Sequence, residues 1–343
     1  DDPVSVTALV KVPKSHFLTH LGPGQDLCRF CRQAKQRRKQ HRRKKQPRRR
    51  KYVRFGQELQ MDWYLPGKNV TAIGGVREAL HVKDMGTECR AFIGTTDRAA
   101  ENVELAIRKM CGVQIDDLKH FYIDNGPELI AAVEKRLKLP ALKSVPRDPQ
   151  TNSLEERDMQ LVVDGIKVSL LTAGLGPKFY ALCGDAWCYN ANVSYIRPST
   201  GNTPYKDRHG EDFKGPQLAF GQHLTYVPDE ASSGSKPESR GHDAIFVGWY
   251  DIGNISDGSA RLIDMRFFTD KDFPFKILRT KDFREPEICS FPVRALREKV
   301  IQRNFAEIHG LVTDEKLLGD IETPSKATID EIGKRVLKVL GED

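Results

Sequence analysis

Three carboxylates far apart in the chain constrain the fold more than any other feature of the sequence. Asp62 stands in Gln-Met-Asp-Trp-Tyr, Asp124 in Phe-Tyr-Ile-Asp-Asn-Gly, and Glu156 in Pro-Gln-Thr-Asn-Ser-Leu-Glu-Glu-Arg. The first two fall near the ends of strand-like runs and the third in the opening turns of a helical pattern, places where packing gives a carboxylate no role. A fold that gathers them makes a hard-oxygen site suited to Mg2+ or Mn2+ rather than zinc, of the kind used for two-metal phosphoryl transfer.

The pattern between these residues is α/β. Residues 55–63 read as a strand ending at Asp62, and the Gly-Lys-Asn turn at 67–69 invites a hairpin. Strands at 79–84 and 89–94 continue an antiparallel set. A helix over 99–111 carries Val103, Ile107, Met110 and Cys111 at helical spacing, and a short strand at 120–123 delivers Asp124 into an Asp-Asn-Gly turn. Strand ends in such a sheet share a crevice, so Asp62 and Asp124 can converge. A second helix, 128–139, has Leu129, Val133 and Leu137 on one face and is closed by Pro140. Residues 143–152 read as a loop, with Asn152 or Ser153 capping the helix that follows. On that helix Glu156, Gln160, Val163 and Lys167 share a face. Glu155 and Glu156 stand about 100° apart, so one of them at most can join the aspartates. Glu155 and Asp158 are expected in solvent, and Asp84 reads as a strand-end or turn carboxylate.

Charge is unevenly spread. Residues 32–54 hold fourteen Lys or Arg and no acid, so the net charge of +8 becomes −6 once they are set aside. The run, with Arg37, Arg38, Arg42, Arg43, Lys44, Lys45, Arg48, Arg49 and Arg50 at its centre, has too little apolar content to fold alone and suits a polyanion through counterion release. A nuclear-localisation signal or a solubilising linker reads equally from the run itself. Before it lies His16-x3-His20-x7-Cys28-x2-Cys31, four residues able to close a tetrahedral zinc site; the alternative is ordinary buried His and Cys side chains. Seven cysteines with scattered spacing argue against a secreted disulfide framework and for a reducing, intracellular setting, nuclear or cytoplasmic. No apolar run approaches the roughly 20 residues of a membrane span. The opening Asp-Asp-Pro without Met reads as a processed product or an excised fragment.

Beyond the helix bearing Glu156, residues 170–195 are apolar and helical, a packing or dimer element in which Cys183 and Cys188 make a weak ligand pattern. A Ser, Gly, Pro and Glu run at 229–241 marks a loop. Strands are expected at 244–250, 260–264 and 276–283, a set able to close a small barrel, with helices over 291–343.

The succession of motifs resembles the integrase region of copia-type LTR-retrotransposon polyproteins, within the retroviral-integrase and RNase-H-like superfamily. The likeness rests on Asp62, on Tyr122-Ile123-Asp124-Asn125-Gly126, and on the stretch from Pro149 to Arg157, similar to the family's Pro-Gln-x-Asn-Gly-x-x-Glu-Arg. Asn202-Thr203-Pro204-Tyr205, Leu218-Ala219-Phe220-Gly221 and the run from His242 to Tyr250 resemble its later motifs, so the resemblance covers residues 14–284. It implies an RNase-H-like mixed sheet with flanking helices, a catalytic and metal-binding triad of Asp62, Asp124 and Glu156 holding two Mg2+ or Mn2+ ions, and element-end and target DNA as partners of a homo-oligomer. Gln160 and Lys167 become candidate DNA-backbone contacts, equally readable as exposed helix residues. The implied organisation is a His/Cys unit at 1–31, a basic linker at 32–54, a catalytic core at 55–200, a β-rich domain at 201–290 and a helical tail at 291–343. The chain departs from the family in three places: 31 residues separate Asp124 from Glu156 where the family has 35, Ser153 replaces a Gly, and seven residues separate His20 from Cys28 where the family has more than twenty. A catalytically silent nucleic-acid-binding or scaffold protein derived from such an element is the alternative. A ribonuclease H would share the core, but the flanking motifs fit it poorly.

Overall fold

A computed structural model describes residues 12–22, 24–25, 27–35, 52–67, 70–143, 153–228 and 240–308, apart from the side chains of 153–155 and 301–308. The basic positions from Arg37 to Arg50, the 67–69 turn beyond Gly67, most of the 143–152 and 229–241 loops and the tail beyond 308 lie outside the described residues.

The central sheet starts with β1 (Leu59–Tyr64), β2 (Glu78–Asp84) and β3 (Arg90–Thr95), all antiparallel. β4 (Phe121–Ile123) and β5 (Ala141–Lys143) then add parallel to β1, giving the order β3-β2-β1-β4-β5. Three antiparallel strands followed by two parallel ones in this order form the RNase-H-like sheet. Asp84 is a turn carboxylate: buried at the end of β2, it accepts from the N–H groups of Gly56 and Thr87 and the Thr87 hydroxyl.

Alternation along β1 assigns its two faces. Leu59, Met61 and Trp63 pack with α3 (Ala100–Cys111) and α4 (Pro127–Ile130), the latter continued by a π-helical segment at Ala131–Arg136. Glu58, Gln60, Asp62 and Tyr64 alternate onto the opposite face. That face is covered by α5 (Ser153–Ala173) and α6 (Tyr180–Ser194), whose Val162, Ile166, Cys183 and Trp187 share a core with Phe92 of β3. The expected 170–195 helix is therefore two helices. Gly174 (φ 74°) and the short 3-10 turn Pro177–Phe179 break it, and the chain reverses. Cys183 and Cys188 are buried packing residues.

Before the sheet, α1 (Lys14–Thr19) and α2 (Arg29–Ala34) lie on α5 and α6. Trp187 Nε1–H donates to the Thr19 carbonyl at 2.7 Å, Asn190 Nδ2–H to that of Leu18 at 3.2 Å, and Phe17 meets Phe291 edge to face.

After the core, the Thr-Pro-Tyr motif opens α7 (Pro204–His209): Thr203 caps the helix by accepting from Lys206 N–H, with Pro204 at its first position. Arg208 is buried over the Phe55 ring and donates to the Met110 and Cys111 carbonyls, which satisfies the exposed end of α3. A second sheet holds β6 (His223–Tyr226), β7 (His242–Ile252), β8 (Ile255–Asp264), β9 (Leu278–Thr280) and β10 (Phe283–Arg284) in the order β10-β6-β7-β8-β9, with the short α8 (Arg266–Thr269) after β8. β9 and β10 do not pair among the described residues, so the expected barrel is an open sheet. β7 and β8 join through Gly253 and Asn254, both at positive φ, as a two-residue hairpin turn requires. α9 (Pro292–Ile308) packs back on α5 through Val293.

Gly165 lets α5 lie directly against the Trp187 indole; a Cβ there would stand 2.3 Å from its ring. Gly165→Ala is expected to cost on the order of 1–3 kcal/mol through overpacking, more than the roughly 1 kcal/mol Ala gains over Gly in a helix. The urea midpoint measures the balance.

Candidate metal and phosphoryl-transfer site

β1 and β4 run in parallel register from Leu59↔Phe121 to Met61↔Ile123, so Asp62 and Asp124 follow at the same level. Asp62 is half-buried and Asp124 is exposed just past its strand. Glu156 stands exposed in the first turns of α5, which crosses β1. Burial raises the Asp62 carboxyl from its ordinary value, and the negative charges of Asp124 and Glu156 raise it further; the Trp63 N–H, donating at 2.7 Å, and His81 oppose them. The three carboxylates thus share one electrostatic neighbourhood. A divalent cation would remove the repulsion that burial magnifies, so the donor set fits hard ions such as Mg2+.

Two features of this region are absent from the sequence reading. Trp63 Nε1–H donates to Glu128 Oε1 at 3.0 Å, tying the residue after Asp62 to the helix after Asp124. Asp158, expected in solvent, is 5% exposed and surrounded by cations. Lys83 Nζ lies 2.6 Å from its carboxylate, the Arg90 guanidinium 2.9–3.2 Å and His81 Nε2 3.2 Å. Burial would raise this carboxyl, yet Arg90, Lys83 and His81 hold it well below the usual range. The available signal was the alternation of His81 and Lys83 on a strand otherwise rich in apolar residues. Of the candidate DNA contacts, Lys167 is exposed, whereas Gln160 is half-buried and donates to Asp164 Oδ1 at 2.7 Å.

At the other end of α5, His16, His20, Cys28 and Cys31 are all buried, with ligand atoms within 4.8 Å of one another. Cys31 Sγ lies 3.3 Å from His16 Nε2 and 3.6 Å from His20 Nδ1, and Cys28 Sγ lies 3.7 Å from His20 Nδ1. Tetrahedral zinc with ordinary Zn–S and Zn–N bonds sets such edges at about 3.6 Å. The Thr172 hydroxyl donates to the Val168 carbonyl, so its oxygen accepts from His20 Nε2–H at 3.2 Å, and this tautomer leaves Nδ1 free as a ligand. Burial lowers the pKa of His20 and keeps it neutral, and the adjacent Cys31 thiol favours the Cys28 thiolate. Geometry and tautomer both fit zinc, and zinc would draw the proton from the Cys31 thiol that its Cys28 neighbour holds.

No protein-family model and no curated protein matches the chain. Among solved structures it is similar to a simian T-cell lymphotropic virus intasome in complex with a PP2A regulatory subunit (TM-score 0.38, 11% identity, covering 80% of this chain and 99% of that one). It is also similar to the HTLV-2 integrase catalytic core domain in complex with magnesium (0.36, 14%, 47% and 100%) and to the bovine immunodeficiency virus (BIV) integrase catalytic core domain (0.32, 17%, 45% and 95%). TM-scores in this range do not establish a shared fold, so the fold assignment rests on strand order and direction. Among the described residues no helix is long and apolar enough to cross a membrane.

A carboxyl whose pKa is raised on folding supports the fold while protonated and loses that contribution as pH rises through its folded value. Metal-free protein is therefore expected to lose stability at Asp62 as pH climbs out of the acid range. Asp62→Asn should raise the urea midpoint in EDTA at pH 7 and weaken its pH dependence. It should also abolish the Mg2+ stabilisation of the wild type, which amounts to about 2.7 kcal/mol at a hundredfold excess over Kd.

Proposed function

We propose that the protein is a retrotransposon-type integrase that trims the 3′ ends of element DNA and joins them to target DNA by metal-dependent phosphoryl transfer. The observation that carries this reading is that Asp62, just past the register β1 shares with β4, feels the charges of both Asp124 and Glu156. Asp62 and Asp124 would hold one Mg2+ and Asp62 and Glu156 a second. Bound there, the ions supply Lewis-acid activation of the attacking oxygen and stabilise the leaving one. Asp62 belongs to both pairs, which suits the carboxylate that feels both of the others. Its position in a strand and the Trp63–Glu128 brace limit how far the two aspartates can separate when phosphate enters.

The basic run at 32–54 would track DNA backbone, with Lys167 adding a contact from the exposed face of α5. Joining two DNA ends calls for an oligomer, and the reading implies action on chromosomal DNA in the nucleus. Zinc in the His/Cys cluster would fix α1 and α2 on α5 and α6, replacing a core that two six-residue helices cannot supply.

The test is a strand-transfer assay with blunt and pre-trimmed element ends in Mg2+ or Mn2+. Wild type is expected to join both, and Glu156→Gln to lower joining on the order of a thousandfold with DNA binding retained. Salt-sensitive binding without joining of either substrate by wild type would favour a catalytically silent binding protein. Separately, purified protein is expected to carry one zinc per chain, and its removal by a chelator to lower Tm and release α1 and α2, seen as faster amide exchange at 14–20 and 29–34.

A further inference from the structure

Asp158 occupies a position that the helical pattern gives to an apolar residue. It heads the buried stripe Val162, Ile166 and Leu170 along α5, spaced one turn apart, yet it brings a carboxylate to the sheet. The sheet answers with two cations, Lys83 and Arg90, and the imidazole of His81. His81 is the cross-strand partner of Asp62, Lys83 lies two residues further along the same face, and Arg90 is the cross-strand partner of Lys83. All three side chains close on Asp158, with Arg90 reaching both carboxylate oxygens. Arg90 is itself fixed: its backbone N–H donates to Asn192 Oδ1 at 2.9 Å and its carbonyl accepts from Asn192 Nδ2–H at 2.7 Å, so α6 holds the edge strand at this residue.

Position 156 is two residues before position 158, about 160° round the helix and 3 Å along it. Turning α5 by one residue, about 100°, would exchange position 156 for 155 or 157. Val162, Ile166 and Leu170, with Gly165 against Trp187, hold the body of α5 against such a rotation, and Asp158, one turn before Val162, carries that hold into the first turns, where a multiply held carboxylate defines one angle.

We propose that Asp158 is a positioning residue that fixes the angle of the first turns of α5, so that Glu156 rather than a neighbour completes the metal site with Asp62 and Asp124. The inference rests on the phosphoryl-transfer reading above. Asp158 touches neither substrate nor ion. It acts through Arg90, Lys83 and His81, and His81 links the clamp to the strand position beside Asp62. This gives the chain's adjacent glutamates a physical means of discrimination: the phase of the helix makes the choice.

Mg2+ needs near-ideal octahedral geometry, while Ca2+ accepts irregular shells. A misphased Glu156 therefore weakens Mg2+ more than Ca2+, whereas a merely structural defect lowers the fraction of competent protein and affects both alike. The experiment is calorimetric titration of the full chain with Mg2+ and with Ca2+, comparing wild type, Glu156→Gln and Asp158→Asn, with urea midpoints measured in parallel. Asp158→Asn is expected to raise the Mg2+ Kd about ten- to hundredfold, as loss of an outer-shell partner does, and the Ca2+ Kd less. If Glu156→Gln weakens Mg2+ binding and Asp158→Asn matches wild type for both ions, the positioning role is overturned and the metal site stands. If wild type binds no Mg2+, the phosphoryl-transfer reading fails and the inference goes with it. Should Asp158→Asn not fold, Lys83→Gln removes one cation and leaves Arg90 in place. A smaller shift in the same Mg2+-over-Ca2+ sense is expected there, and its absence overturns the proposal.

Discussion

Helix α5 lies against β1–β3 and α6 through Val162, Ile166, Leu170 and Gly165, and the other parts of the molecule are arranged around that contact. Its first turns carry Glu156, whose charge reaches Asp62, its middle seats Trp187, and Thr172 near its end orients His20. Trp187 in turn bonds the Thr19 carbonyl, so the helix pair that covers the sheet also receives the His/Cys unit. One 21-residue helix thus spans both candidate metal sites. Apolar burial supplies the attraction, and the polar groups at its two ends supply direction.

Electrostatics divides the chain into regions with different tasks. The basic run at 32–54 carries more positive charge than the whole molecule shows in sum, and the rest is net acidic. Among the described acids, two settings contrast. Asp158 and Asp185 are compensated, the first by Arg90, Lys83 and His81 and the second by Lys109 and Arg261, which joins the core to the second sheet. Asp62 feels two like charges, and burial penalises it. A half-buried carboxylate under like-charge repulsion, as Asp62 is, is poor for stability and good for cation binding.

Much of the core was legible because its signals are local. Alternation and turn residues placed the first four strands and the α3 helix within a residue or a few, and the positions of Asp62 and Asp124 followed from strand ends. The Thr203-Pro204 pair has a capping geometry that its sequence announces. What escaped depends on distant partners. β5 is three residues long and takes its identity from pairing with β4. Residues 170–195 read as one helix because Gly174 and Pro177 interrupt a continuous apolar run without changing its composition. Asp158 looked solvated because a helical pattern ranks Asp as polar and cannot see partners on strands 68 to 77 residues earlier in the chain. The four His/Cys ligands were legible as a set despite short spacing, whereas their docking on α5 and α6 was not.

Asp62, Asp124 and Glu156 are proposed to hold a pair of divalent ions. Anomalous diffraction from crystals grown with Mn2+ tests this proposal directly. Two peaks about 3.5–4 Å apart are expected, one between Asp62 and Asp124 and the other between Asp62 and Glu156. Density for ordered carboxylates with no Mn2+ peak beside them, in crystals that carry Mn2+ elsewhere, would contradict it.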